Sequence, residues 1–267
     1  MRFFKNLKTN KMLILSLIAF VLSIIVLMNF VNKKSLIVDS NLLKKGSDVQ
    51  GYAGEKILYL ISPLGRSEYN NFGVVDLKGI KVNLVELKTK VLLIEETEKI
   101  YSDTESLLPL KIERTISKFW GKDYITEEYD QTKFTVTIKK FKGKELITEQ
   151  LIKANGPIQN VIISLFYLRG NPDLKIGWGF TVRVPDEFKA ELVSIKLELV
   201  SIDEIKVPAG KFQAYHFKSI PSKFEFWINQ DNPRVPLRIK IKSIIDFNVL
   251  MKKYSLNNNF SRTEVKP

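Results

Sequence analysis

The chemistry open to a chain depends on its nucleophiles, metal ligands and paired titratable groups, and these 267 residues offer few of them. There is no Cys, which removes disulfides, a thiolate zinc site, a cysteine nucleophile and a lipid-modified Cys anchor. His216 is the only histidine, which argues against a serine triad and a multi-His metal site. Acids cluster twice, as Glu95, Glu96 and Glu98 and as Glu127, Glu128 and Asp130, the residue types that a glycosidase or a hard cation would use. Both stretches alternate like strands, so consecutive acids point to opposite faces, and Lys residues surround them; the expectation is a solvated face. His216 sits in the run Phe212 to Phe217, where its same-face neighbours are Phe212 and Ala214. With no orienting partner in view it reads as structural. No catalytic residue, metal ligand or cofactor is expected.

The elements that position these groups carry an uneven charge. The net charge of +13 would suit a nucleic-acid ligand, but residues 1–48 hold eight basic side chains against Asp39 and Asp48, leaving the other 219 residues at +7. Lys outnumbers Arg by 34 to 8, whereas base and phosphate readers prefer the bidentate fork of Arg. The charge therefore reads as a Lys-rich solvated surface, and no nucleic-acid partner is expected.

Met12 to Val31 is a run of 20 uncharged residues in which only Ser16, Ser23 and Asn29 are polar. As a helix it spans about 30 Å, the thickness of a bilayer's hydrocarbon core. Arg2, Lys5, Lys8 and Lys11 precede it, the run exceeds an ordinary signal-peptide core, and no A-x-A site follows, so an uncleaved signal anchor with its N-terminus inside is expected. Residues 1–11 then form a basic cytoplasmic tail, 12–31 a single-pass transmembrane segment, 32–54 a polar stalk, 55–256 an extracytoplasmic β domain and 257–267 a flexible tail. The membrane is the first partner expected.

From Glu55 onward the hydrophobic period is two. Phe134, Val136 and Ile138 alternate with Lys133, Thr135 and Thr137, and Leu237, Ile239 and Ile241 alternate with Arg238, Lys240 and Lys242. A dozen such stretches separated by turn signals such as Lys142-Gly143-Lys144 predict an antiparallel sheet. Between Leu192 and Val193 the phase slips by one, which a strand accommodates by a bulge or by passing between packing environments. After Asn155-Gly156-Pro157, apolar residues recur at helical spacing and predict a helix over 158–169, apolar nearly all round and ended by Gly170-Asn171-Pro172. Such a helix must be covered. The fold expected is mainly β: a single strongly curved antiparallel sheet, an open barrel or β-roll, wrapped around one buried helix, plus the N-terminal transmembrane helix.

Val207-Pro208-Ala209-Gly210-Lys211-Phe212, then Phe226-Trp227-Ile228 with Asp231, Arg234 and Pro236-Leu237-Arg238-Ile239, resemble the C-terminal half of the bacterial family DUF3108. The helix text from Gln159 to Tyr167-Leu168-Arg169 is similar to that family's run ending in Tyr-Leu-Arg, with Asn160 where the family has an acid and Ile163 near where it has Ser. The resemblance spans about residues 52–256. It implies an exported, envelope-associated β-rich protein with no established reaction. Read from its own residues, Pro208 fixes the first corner of a strand connection and Gly210 its last position.

A curled sheet with a helix in its mouth can hold an apolar ligand between them. Ile162, Phe166, Trp178 and Trp227 are the expected lining of such a cavity. The functional expectation is a membrane-anchored, non-enzymatic binding module of the bacterial envelope, for lipid or another apolar ligand. Two alternatives stand beside it: a structural or assembly protein with an envelope protein as partner, whose sign is a packed interior, and a carboxylate-dependent hydrolase, whose sign is two acids converging in an open cleft.

Overall fold

The computed structural model describes residues 52–171, 174–186, 189–220, 222, 224–242 and 246–257. In chain order these form β1 (Glu55–Ser62), β2 (Gly65–Leu77), β3 (Ile80–Val91), β4 (Ile94–Asp103), β5 (Pro109–Lys118), β6 (Gly121–Asp130), β7 (Thr135–Lys142) and β8 (Glu145–Lys153). Then come the helix α1 (Val161–Tyr167) with a 3-10 turn over Leu168–Gly170, β9 (Gly179–Asp186), β10 (Glu191–Val207), β11 (Gly210–Ile220), β12 (Phe224–Asn229), β13 (Pro236–Ile241) and β14 (Phe247–Leu256). No helix among the described residues is long and apolar enough to cross a membrane, and the run 12–31 lies outside them.

All fourteen strands join one sheet in the order β8-β7-β6-β5-β4-β3-β2-β1-β14-β13-β12-β11-β10-β9. The first and last strands therefore pair antiparallel in the middle, and β8 and β9 are the edges. The sheet curls until β8 comes against β10, a nearly closed antiparallel barrel. Period-two patterning explains the fold: in β4, β5 and β6 the interior residues Ile94, Ile100, Ile112, Ile116 and Ile125 share one cluster with Ile57 and Tyr69. A second cluster gathers Val193, Ile195, Leu197 and Leu199 of β10 with Phe217 and Phe226. The helix serves both, placing Ile163 and Tyr167 in the first and Leu165 and Leu168 in the second.

One expectation needs correction in detail, and one with two alternatives resolves to the second. The helix begins at Val161 rather than at 158, because Asn160 caps it: its Oδ1 accepts from the backbone N–H of Ile162 at 2.9 Å and of Ile163 at 3.2 Å. The phase slip at Leu192 involves no bulge. The β9–β10 register runs unbroken from Glu191 to Glu198, and Leu192 packs against the first cluster while Val193 packs in the second. The bulge of β10 falls between Leu199 and Ser201, so Ile205 and Val207 return to the first cluster.

Short hairpins divide the turns between two ends of the barrel. The pairs Ile61 with Gly65, Val91 with Ile94, Lys118 with Gly121 and Lys142 with Glu145 put the turns 63–64, 92–93, 119–120 and 143–144 at one end. The chain enters β1 at the other end, where α1 also lies. There Gln131, in the turn after β6, donates to the carbonyls of Pro109 at 2.8 Å and Ile158 at 2.9 Å, and accepts from Ile158 N–H at 3.2 Å.

Candidate functional site

Three polar clusters are built into the sheet. The first centres on His216. Ser201, His216, Trp227 and Arg238 lie directly opposite one another on β10, β11, β12 and β13, and Asp203 and Glu225 sit two residues along from members of that row. His216 Nδ1 is 2.9 Å from Asp203 Oδ2 and 3.2 Å from Ser201 Oγ, and Nε2 is 2.9 Å from Glu225 Oε2. The imidazole stacks on Trp227 with centroids 4.2 Å apart, and the Arg238 guanidinium lies 4.8 Å from the same indole. Trp227 Nε1–H donates to Asp203 Oδ2 at 3.0 Å, and Lys242 Nζ reaches Glu225 Oε1 at 2.7 Å.

These contacts fix the charges. Burial pushes the Asp203 carboxyl up, but donors from Trp227 and Ser201 and the adjacent His216 outweigh it and hold the group below the usual carboxylate range. Glu225 is likewise held low, burial being outweighed by Lys242 and His216. An imidazole against a carboxylate is the pairing of a general base with its orienter. Here both ring nitrogens face carboxylate oxygens, and each carboxylate is engaged by a further donor, so the cluster braces four strands together. His216 thus has the partners its own strand does not supply. They come from β10 and β12, thirteen and nine residues away, and the signal for them was the tight turn Val207-Pro208-Ala209-Gly210, which sets the β10–β11 register.

The second cluster overturns the reading of all six acids as solvated. Glu96, Glu98 and Glu127 point to the barrel interior and converge on Arg114: its Nε is 3.4 Å from Glu96 Oε1, and its Nη2 is 3.7 Å from Glu98 Oε1 and 3.1 Å from Glu127 Oε1. Tyr129 donates its hydroxyl to Glu127, and burial together with that carboxylate pushes the phenol well above its ordinary range. The other three behave as expected. Glu95 and Glu128 are exposed, and Asp130 closes its own turn through Thr132 and Lys133. Carboxylates facing the interior need a cation, and Arg114 comes from the neighbouring strand directly opposite Glu98.

The third cluster latches α1. Arg169, at its C-terminal turn, binds Glu55 at the start of β1 through two bonds of 2.6 Å, with the side chains 1% and 0% exposed. The Tyr52 ring lies 4.1 Å from the guanidinium. Burial raises the Tyr59 and Tyr69 phenols, and raises that of Tyr254 to about 12.

The expected lining residues whose side chains are described divide between the two clusters. Ile162 and Trp227 pack with the first cluster and Trp178 with the second; Trp227 faces the opposite side of β12 from Phe226 and Ile228. Phe166 lies in α1, and its side chain is outside the described part. Beside α1, the space among Leu107, Gln159, Ile163, Ser164, Tyr167 and Phe180 amounts to about 20 Å³, room for a single water.

A nearly closed antiparallel barrel with one short helix defines the class, and comparison supplies the family. The model of the family described as "Protein of unknown function (DUF3108)" matches residues 80–252, and the chain belongs to that family. The crystal structure of a beta-barrel-like protein of domain of unknown function DUF1849 from Brucella abortus is similar in fold, with a TM-score of 0.51 at 9% identity, covering 78% of this chain and 99% of that one. No curated protein matches the sequence.

Proposed function

We propose that the chain is a single-pass, membrane-anchored module of the bacterial cell envelope that works without catalysis and binds its partner at its surface. The observation that carries this reading is the narrow space at the latched α1: about 20 Å³ beside a helix held to β1 by a buried bidentate ion pair. An internal lipid needs several hundred Å³. The interior carboxylates support the same reading, since Arg114 stands among the three that converge. The anchor rests on the apolar run 12–31.

Native mass spectrometry of the full chain, extracted from its own membranes and stripped of detergent, should give the bare protein mass. An apolar molecule retained one per chain would overturn the surface reading and restore an internal ligand. Protease added to intact spheroplasts should remove residues 55–256 and leave an anchored stub. A domain that stays protected would place it inside.

A further inference from the structure

The end of the barrel opposite α1 breaks the ordinary chemistry of hairpin turns. Gly, Asn and Asp dominate such turns because they accept positive φ and water, as Lys78-Gly79 does between β2 and β3. At the opposite end three successive hairpins instead turn on Pro63-Leu64, Leu92-Leu93 and Phe119-Trp120. Leu64, Leu93 and Phe119 are 63%, 71% and 75% exposed, and Trp120 is 48% exposed. Leu92 adopts φ 52, a conformation a bulky side chain rarely takes. Neither burial nor backbone preference accounts for these residues.

Register makes them neighbours. Gly65 pairs with Val91, and Glu95 pairs with Ser117, so the three tips stand side by side. Alternate strands are about 10 Å apart, which spreads the apolar rim over roughly 20 Å. Phe119 and Trp120 pack edge to face with centroids 4.6 Å apart, presenting one aromatic wedge. Within two residues of the tips lie Arg66, Lys90, Lys118 and Lys122 against Glu95 alone, with Lys90 3.8 Å from Glu95 and Lys118 paired to Asp123.

We propose that this end docks onto an anionic lipid bilayer, sinking the Leu64, Leu92-Leu93 and Phe119-Trp120 tips into the headgroup boundary while the flanking basic residues meet lipid phosphates. Exposed Trp, Phe and Leu with a basic rim are what an interfacial membrane surface selects. The inference rests on the proposed anchor for bringing the domain to that surface. Glu55 lies at the α1 end, one strand of about 26 Å from the tips. The 20 residues of 32–51 could reach up to about 65 Å if extended, enough to pass the barrel and let the tips face the membrane.

The test is the full chain reconstituted into phosphatidylglycerol–phosphatidylethanolamine vesicles whose acyl chains carry bromine, a quencher of indole fluorescence. Trp120 at a depth of ~5–10 Å should lose about half its emission. The quenching should disappear in Trp120→Phe and weaken in phosphatidylcholine alone. Leu92→Gly with Leu93→Asn, which puts Gly at the one central position with positive φ, should reduce the quenching while keeping or raising the melting temperature. A chain that floats with the vesicles yet shows no Trp120 quenching overturns the docking and leaves the anchor standing. A chain that does not float overturns both. Concentration-dependent dimers abolished by the Leu92-Leu93 change, with Trp120 unquenched, would assign the tips to a second copy and overturn the lipid occupant.

Discussion

The two ends of this barrel are built on opposite principles. At the α1 end buried and half-buried polar side chains are tied: Arg169 to Glu55, Gln131 to Pro109 and Ile158, Gln159 to Arg183, and Arg234 to the carbonyl of Asn171. At the hairpin end three neighbouring turns carry apolar side chains that face water. The first arrangement contributes to stability, since each polar group withdrawn from water has found a partner. The second contributes nothing to it, because the apolar area remains exposed. Substitutions should therefore split by end, large losses of stability on one side and none on the other.

The largest effect is expected from Arg169→Met, which strands the buried Glu55 carboxylate and should cost about 3–5 kcal/mol. Urea unfolding of the full chain followed by far-UV circular dichroism reads it, and Glu55→Leu in the same chain should recover most of the loss. Leu168→Ala, at a position 0% exposed, should cost about 2–5 kcal/mol by leaving a cavity between helix and β10. An unchanged unfolding midpoint for either variant would detach the helix from the barrel's stability.

The His216 cluster lies between the two regimes and predicts a pH dependence. Asp203 and Glu225 are held below their ordinary values of 3.8 and 4.5, so each contributes stability above those values and loses it as pH falls through its lowered one. Melting temperature should thus drop between about pH 5 and pH 2, and Asp203→Asn should flatten part of that fall. A slope identical to wild type would remove Asp203 from the brace. Asn160→Ala should cost about 1 kcal/mol through the lost cap. The smallest effect is expected at the other end: Leu64→Ser and Leu93→Ser should each shift stability by less than about 0.5 kcal/mol. A larger loss at these tips would mean that they pack, and the contrast between the ends would collapse.

Most of the architecture was legible because it depends on local alternation. Phe134 to Lys139 and Leu237 to Lys242 alternate in the sequence, and strands with one apolar face pair wherever turn residues allow. The helix was legible for the same reason at a different period, and Asn160, which stands where the family has an acid, proved to be its cap. The candidate site was far less legible. His216 lacked a partner within its own strand because the partners lie on adjacent strands, and only the turn at Pro208-Ala209 and the bulge before Ser201 set which residues face it. Glu96, Glu98 and Glu127 look solvated in isolation, since nothing local shows that the sheet curls over that face.

The sequence by itself determined the strands and their wet and dry faces, the one apolar helix, the family, and the apolar run at the N-terminus, all of them properties of residues within a few positions of one another. Only the tertiary structure decided that β1 and β14 meet in the middle of the sheet, that three interior acids converge on Arg114, that Glu55 and Arg169, 114 residues apart, close one end, and that three turns carrying apolar side chains stand in a row at the other. The reason is physical. Alternation states which face of a strand is apolar, but strand order, register and curvature follow from how distant apolar faces are jointly removed from water, and no short stretch of chain contains that information.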